Sequence, residues 1–155
     1  MMNGVKMQYK IFFSIFIDLF IRLRQYRRSR RAFDKVTDMA YMDSLTMLYN
    51  RRAYEEDVLL IKAGKEKEDL ILVSLDINGL KECNDKLGHA AGDELLRGAA
   101  QCMKIAFDKN SKIYRTGGDE FSVIIHESVE EAHIMLSRFD AEVASWQGNM
   151  VKKLA

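Results

Sequence analysis

The chain contains no proline and only two cysteines in 155 residues, and its formal net charge is +1. Without proline nothing breaks a helix from within, so long uninterrupted helices are permitted. Cys83 and Cys102 fall inside apolar patterns and make no metal-ligand spacing, so a zinc module is excluded. They read as reduced packing residues of a cytoplasmic protein. The near-neutral balance gives no sign of a dedicated nucleic-acid binder, and no nucleic-acid partner is expected. A long apolar run is missing too. The most apolar stretch, residues 11–23, is interrupted by Asp18 and falls short of the roughly 20 residues a spanning helix needs. No small-residue cleavage site precedes the adjoining arginines, which argues against a secretory signal.

What is present is an ordinary globular composition, 48% hydrophobic and 30% charged, able to bury a core. The length suits one domain and a short appendage. Arg22, Arg24, Arg27, Arg28, Arg30 and Arg31 crowd one segment, leaving the remainder mildly acidic. Residues 11–23 therefore have three readings: a shortened membrane anchor, an interfacial helix, or an apolar helix packed on a partner. The basic flank favours a cytoplasmic location for the rest of the chain, and leaves open both contact at the inner face of the cell membrane and simple helix packing. From Arg22 to Met42 the pattern is helical and charged, with Phe33, Val36 and Ala40 at three- and four-residue steps. Residues 1–42 are thus an apolar and basic segment with a connecting helix, and 43–155 a globular domain.

Within that domain, Asp43-Ser44-Leu45-Thr46 can end or restart a helix. Residues 50–63 read as a helix closed by Gly64. Residues 70–75 are nearly continuously apolar, as expected of a strand covered on both faces, with Asp76 at its end. Asn78-Gly79, Asn84-Asp85, Gly88 and Gly92 predict brief or broken helix. Residues 93–107 form an amphipathic helix with Leu95, Leu96, Ala99, Met103 and Ala106 inward. Ser128-Val129-Glu130-Glu131 is a capping box, opening a helix with the stripe Ala132, Leu136, Phe139, Val143 and Trp146.

Between these helices, residues 113–115 and 121–125 are the arms of a hairpin closed by Gly117-Gly118-Asp119-Glu120. The glycine pair reads as a tight turn requiring positive φ, and its missing side chains let a polyanion approach the backbone. Adjacent carboxylates at a hairpin tip repel unless a cation neutralises them, and a hard divalent ion with oxygen ligands suits them. The plainer reading is a surface hairpin with solvated acids.

Taken together, these segments resemble the GGDEF-domain family, the diguanylate cyclases. The residues that carry the resemblance are Asp43-Ser44-Leu45-Thr46 with Leu48 and Asn50-Arg51-Arg52; Leu75-Asp76-Ile77-Asn78-Gly79-Leu80-Lys81; Asn84-Asp85, Leu87-Gly88-His89 and Gly92-Asp93; and Gly117-Gly118-Asp119-Glu120-Phe121. The resemblance implies an α+β fold like the palm of adenylyl cyclases and polymerases (ferredoxin-like), an antiparallel sheet backed by helices. It implies condensation of two GTP into cyclic di-GMP with loss of two pyrophosphates, in a homodimer whose facing half-sites complete the centre. The alternatives are a module that binds GTP or regulates without turnover, and a fragment of a longer cyclase.

The resemblance also distributes roles. Asp76, the main-chain carbonyl of Ile77, and Asp119 would hold Mg²⁺ or Mn²⁺; Asp76 taken alone reads as a strand-terminating polar residue. Glu120 would assist either at the 3′-hydroxyl or at the metal, and Gly117 and Gly118 would leave room for phosphate. Lys81 would bring a cation to the phosphates, against the plainer reading of a solvated lysine. Asn84 and Asp93 would read guanine, although Asp93 also reads as a helix N-terminal acid. His89 falls at a substrate-side position or caps a helix. Asn78 and Leu80 depart from a common acid and aromatic. Asp108-Lys109-Asn110-Ser111 stands where a product-inhibition motif Arg-x-x-Asp is expected, so no feedback through that site is anticipated. The family's further strand and basic helix are not found after Trp146; Lys152 and Lys153 lie in a different context.

Overall fold

The computed structural model describes residues 20, 22–27, 40–64, 70–107 and 109–152. Its contacts group into two units, Met1–Ala40 and Tyr41–Ala155. In the first, residues 22–27 are helical, with Leu23 and Tyr26 exposed. Phe33, Val36 and most of the apolar run 11–23 lie outside the described residues. Among the described residues no helix is long and apolar enough to cross a membrane.

The second unit is an α+β domain around a sheet of order β1-β3-β4-β2. Its strands are β1 (Tyr49–Asn50), β2 (Ile71–Asp76), β3 (Ser111–Arg115) and β4 (Glu120–Ile125). Its helices are α1 (Arg51–Lys62), α2 (Leu80–Leu87), α3 (His89–Ala106) and α4 (Val129–Ser145). β2, β4 and β3 pair antiparallel, as expected, whereas the two-residue β1 pairs parallel to β3.

Side-chain alternation sorts the core into two layers. Phe121, Val123 and Ile125 of β4 and Ile113 of β3 join Leu96, Ala99, Met103 and Ala132 beneath α3 and α4. On the other face Tyr114 and Ile124 pack against Ala53, Tyr54, Val58 and Ile61 of α1. α1 is pinned there by Asp57, whose Oδ2 accepts from the Tyr114 hydroxyl at 2.7 Å and from Lys112 Nζ at 3.1 Å. Because α1 lies over β1 and β3, it does not reach β2. That strand is covered on one face only. Ile71, Val73 and Leu75 pack inward, while Leu72 is 53% exposed, which corrects the expectation of cover on both sides.

The helix ends follow their caps. The Asn50 side chain accepts from Ala53 N–H at 3.1 Å to open α1, and Gly64 follows it at φ +67°. Ser128 Oγ accepts from Glu131 N–H at 3.2 Å to open α4. The α4 stripe contains the expected Ala132, Leu136 and Phe139, plus Met135, which is buried. α3 differs from expectation by starting at His89, four residues early. Gly88 supplies the break at φ +86°, and Gly92 is tolerated inside the helix because the Asn84 side chain occupies the space a Cβ would need.

Cys102 is 2% exposed on α3, and burial, then the nearby Glu142 charge, pushes its thiol up to about 11. Cys83 is half-exposed on α2. Iodoacetamide at neutral pH is therefore expected to alkylate Cys83 in the folded chain and Cys102 only after unfolding. Peptide mass mapping checks this; equal labelling of both thiols would contradict the packing of α3.

Candidate functional site

The β2–β4 register decides which acids meet. Leu75 lies opposite Phe121 and Asp76 opposite Glu120. One further bond runs past the strand end, with Ile77 N–H donating to Asp119 O at 3.0 Å. The pairing thereby seats the end of β2 against the hairpin. Asp76, Ile77 and Asp119 all line one cleft of about 550 Å³. Lys81 and Asp85 from α2 line the same cleft, as do Glu82 and Lys86, which pair with each other.

α2 enters this cleft N-terminus first. Gly79 at φ +74° turns the chain from β2 into the helix, and no side chain caps the first turn. The leading amides of α2 are therefore open to an anionic ligand. A side chain at residue 79 would be strained at that φ, so the turn requires glycine.

The hairpin is built differently from the tight turn expected. β3 ends at Arg115 and β4 begins at Glu120, leaving residues 116–119 as a four-residue loop whose Thr116 N–H donates to Glu120 O at 2.9 Å. Neither Gly117 nor Gly118 has a positive φ, because loops of this length close without a left-handed residue. Only Gly117 is accounted for by space instead. A Cβ at Gly117 would lie 2.6 Å from Glu120 Oε2, whereas at Gly118 it would meet nothing within 4 Å. Gly117 thus admits the Glu120 side chain and Gly118 leaves the loop open. Glu120 itself does not line the cleft.

One arginine holds this loop. Arg115 Nη2 and Nε donate to Gly118 O at 2.7 and 3.2 Å. Its Nη1 donates to both carboxylate oxygens of Asp43, at 3.2 and 3.3 Å. Asp43 Oδ1 also accepts from Thr46 Oγ1 at 2.6 Å and Thr46 N–H at 2.9 Å. Burial alone pushes the Asp43 carboxyl up, but the Thr46 bonds and the Arg115 guanidinium outweigh it, so the group sits below its usual 3.8. The turn includes Met47 at φ +54°, a conformation that side chains rarely adopt. Sequence reading assigned neither Asp43 nor Arg115 to the site, since 72 positions separate them and no local spacing signals the pairing.

The remaining expected residues lie on the adjoining helices. Asn84 (α2) packs its side chain on Gly92, where a Cβ would fall 2.0 Å from Oδ1. Asp93 is the fifth residue of α3, beyond the first turn where the dipole acts, and pairs with Arg97 at 3.6 Å. His89 is exposed as the first residue of α3, and Gly88 is the cap. Asp76, Ile77, Lys81 and Asp119 are thus gathered in one cleft, while Asn84, Asp93 and His89 belong to the α2–α3 junction beside it. Among the described residues no three Asp, Glu, His or Cys side chains form a metal cage. Asp76, Ile77 and Asp119 all line this cleft, and carboxylate and carbonyl oxygens are hard donors of the kind Mg²⁺ takes, since that ion keeps waters and shares its coordination with phosphate.

Residues 40–153 match the profile of the diguanylate cyclase GGDEF domain. Over 107 residues the chain is 38% identical to the diguanylate cyclase VdcA of Vibrio cholerae, covering 68% of this chain and 31% of that protein. Over 86 residues it is 40% identical to a membrane protein of Staphylococcus aureus, covering 54% of this chain and 24% of the relative. It therefore spans about a third or less of these relatives. The coiled coil and GGDEF domain of DgcB from Caulobacter crescentus, solved with c-di-GMP, superposes with TM-score 0.71 at 26% identity. That match covers 92% of this chain and 78% of DgcB's, so the fold is the palm-like one.

Because the Asp43 carboxyl is depressed in the folded chain, its stabilisation is present above the unfolded value near 3.8 and is lost as pH falls through the lower folded value. Asp43→Asn is expected to cost about 1–3 kcal/mol at pH 7 and progressively less below pH 3.8. Urea denaturation across pH measures it; a difference independent of pH would contradict the Asp43–Arg115 pairing.

Proposed function

The chain belongs to the GGDEF family, and on that premise we propose that it is a diguanylate cyclase, condensing two GTP into cyclic di-GMP and two pyrophosphates. The observation that carries this reading is the convergence of Asp76 and Asp119 on one cleft beneath the uncapped N-terminus of α2. Each protomer of a homodimer would hold one GTP, and attack across the two facing half-sites would close the ring.

The Asp76 and Asp119 carboxylates and the Ile77 carbonyl would hold Mg²⁺ or Mn²⁺. When bound, the ion neutralises triphosphate charge and acidifies the attacking hydroxyl. Lys81 and the first amides of α2 orient the phosphates and stabilise charge developing on them. Gly118 leaves the backbone accessible to that polyanion, and Gly117 admits Glu120. The Glu120 carboxylate, which lies over Gly117, would assist at the 3′-hydroxyl or at the ion. Asn84 and Asp93 read the guanine edge from the α2–α3 junction, with His89 beside them on the substrate side. Asp108-Lys109-Asn110-Ser111 carries neither the arginine nor the aspartate at the two anchor positions of the product-feedback motif.

The wider arrangement is part of the same proposal. Residues 43–155 are the catalytic domain and 1–42 the segment that brings two copies together. The protein acts in the cytoplasm, with residues 11–23 and the adjoining arginines at the inner face of the membrane, a placement in keeping with the staphylococcal relative's name. The second reading is a GTP-binding regulatory module without turnover; the position of Glu120 outside the cleft favours it.

The test is conversion of GTP to cyclic di-GMP by the purified chain with Mg²⁺, beside Asp119→Ala. Product is expected from the wild type, falling by about two orders of magnitude or more in the variant. GTP binding without product would select the regulatory module, and neither binding nor product would contradict both readings.

A further inference from the structure

After α4 the chain folds back onto α3. Trp146, the single tryptophan, stands over Gly98, where a Cβ would come within 2.3 Å of the indole. A Cβ at Gly148 would meet the indole at 2.6 Å and the Glu94 carboxyl carbon at 2.9 Å. Glu94 then gathers three consecutive main-chain amides. Asn149 N–H donates to Oε1 at 2.7 Å, and Met150 and Val151 N–H donate to Oε2 at 2.7 and 2.9 Å. Gly148 N–H closes the turn by donating to Val151 O at 2.9 Å. Successive amides converging on one carboxylate make an anion nest, here filled by a side chain of α3. The Val151 and Asn149 bonds, foremost, hold the Glu94 carboxyl below its usual range. Val151, so fixed, lines a second cleft of about 290 Å³ with Leu95 of α3 and Cys83 and Leu87 of α2. The clasped strap therefore sits on α3, which carries Asp93, and faces across this cleft α2, which carries Asn84.

We propose that Glu94 is a positioning residue for base recognition: by clasping residues 148–151 onto α3 it walls off the cleft that α3 shares with α2, and so sets the separation of Asn84 and Asp93. This role rests on the proposed reading of guanine by those two side chains. Asn84 already sits in contact with the α3 backbone at Gly92, so a small slide of α3 changes where its amide points. Misplacement of about 1 Å is enough to weaken a directional site severely.

The test compares the wild-type chain with Glu94→Gln and Glu94→Ala. Trp146 emission and acrylamide quenching report the strap, and calorimetry with Mg²⁺ reports binding of a non-hydrolysable GTP analogue and, separately, of inorganic triphosphate. Quenching is expected to rise from wild type through Glu94→Gln to Glu94→Ala. Affinity for the GTP analogue is expected to fall about tenfold in Glu94→Ala, with triphosphate affinity unchanged. Unchanged quenching would overturn the clasp. Released Trp146 with undiminished analogue affinity, or equal loss for both ligands, would overturn the positioning role. If Glu94→Ala does not fold, the same comparisons in Glu94→Gln decide. A wild type that binds triphosphate but shows no preference for the GTP analogue would overturn base reading and this role together, whereas a preference kept in the variants would overturn this role alone.

Discussion

The antiparallel pairing of β2 with β4 is the constraint on which the candidate site depends. It is a backbone interaction, and its register is enforced from the core. Val73 must oppose Val123 and Leu75 must oppose Phe121 for the apolar set to face α3 and α4. A slip of one residue would turn that set to the other face. With the register held, Asp76 has to arrive opposite Glu120, and Ile77 has to meet the Asp119 carbonyl. Chemistry at the strand ends thus follows from packing some residues away. Elsewhere on the edge strand the same constraint leaves Leu72 uncovered, because α1 is committed to β1 and β3.

A second restraint acts on the loop rather than on the strands. Arg115 joins the Gly118 carbonyl to the Asp43 carboxylate, so the opening turn of the domain and the acidic hairpin share one guanidinium. Arginine suits this because its planar fork supplies donors in several fixed directions at once. The turn that presents Asp43 includes Met47 in a left-handed conformation, which is unfavourable for that side chain and is held by the Asp43–Leu48 and Met47–Asp43 backbone bonds. The loop that carries Asp119 is therefore anchored at both ends, by β4 and by the domain's first turn.

Much of this was legible from residue order. The stripe Leu95, Leu96, Ala99, Met103 and Ala106 is buried as its spacing implies, and Ser128 caps the helix it precedes, whereas Asn50, read as helical, is the cap of α1. The joint role of Asp76 and Asp119 was implied by the family resemblance, and the β2–β4 pairing supplies the proximity it needs. What escaped were properties set by distant parts of the chain. β1 is two residues long and exists because β3 is beside it. The early start of α3 was masked by Gly92, a poor helix former whose cost is offset by the close seat of Asn84. The tight glycine turn was inferred from composition, but the length of the loop decides its dihedrals. No local spacing singles out Glu94, and only the return of the chain 55 to 57 positions later reveals its three amide partners.

The most direct measurement is Mn²⁺ binding, in the presence of a non-hydrolysable GTP analogue, to the wild type, Asp76→Asn, Asp119→Asn and the double variant. If β2 and β4 bring both carboxylates to one ion, each single substitution weakens binding by at least about tenfold, and the double variant loses far less than the sum of the two. Binding that survives Asp76→Asn unchanged, or two losses that simply add, would contradict a shared site.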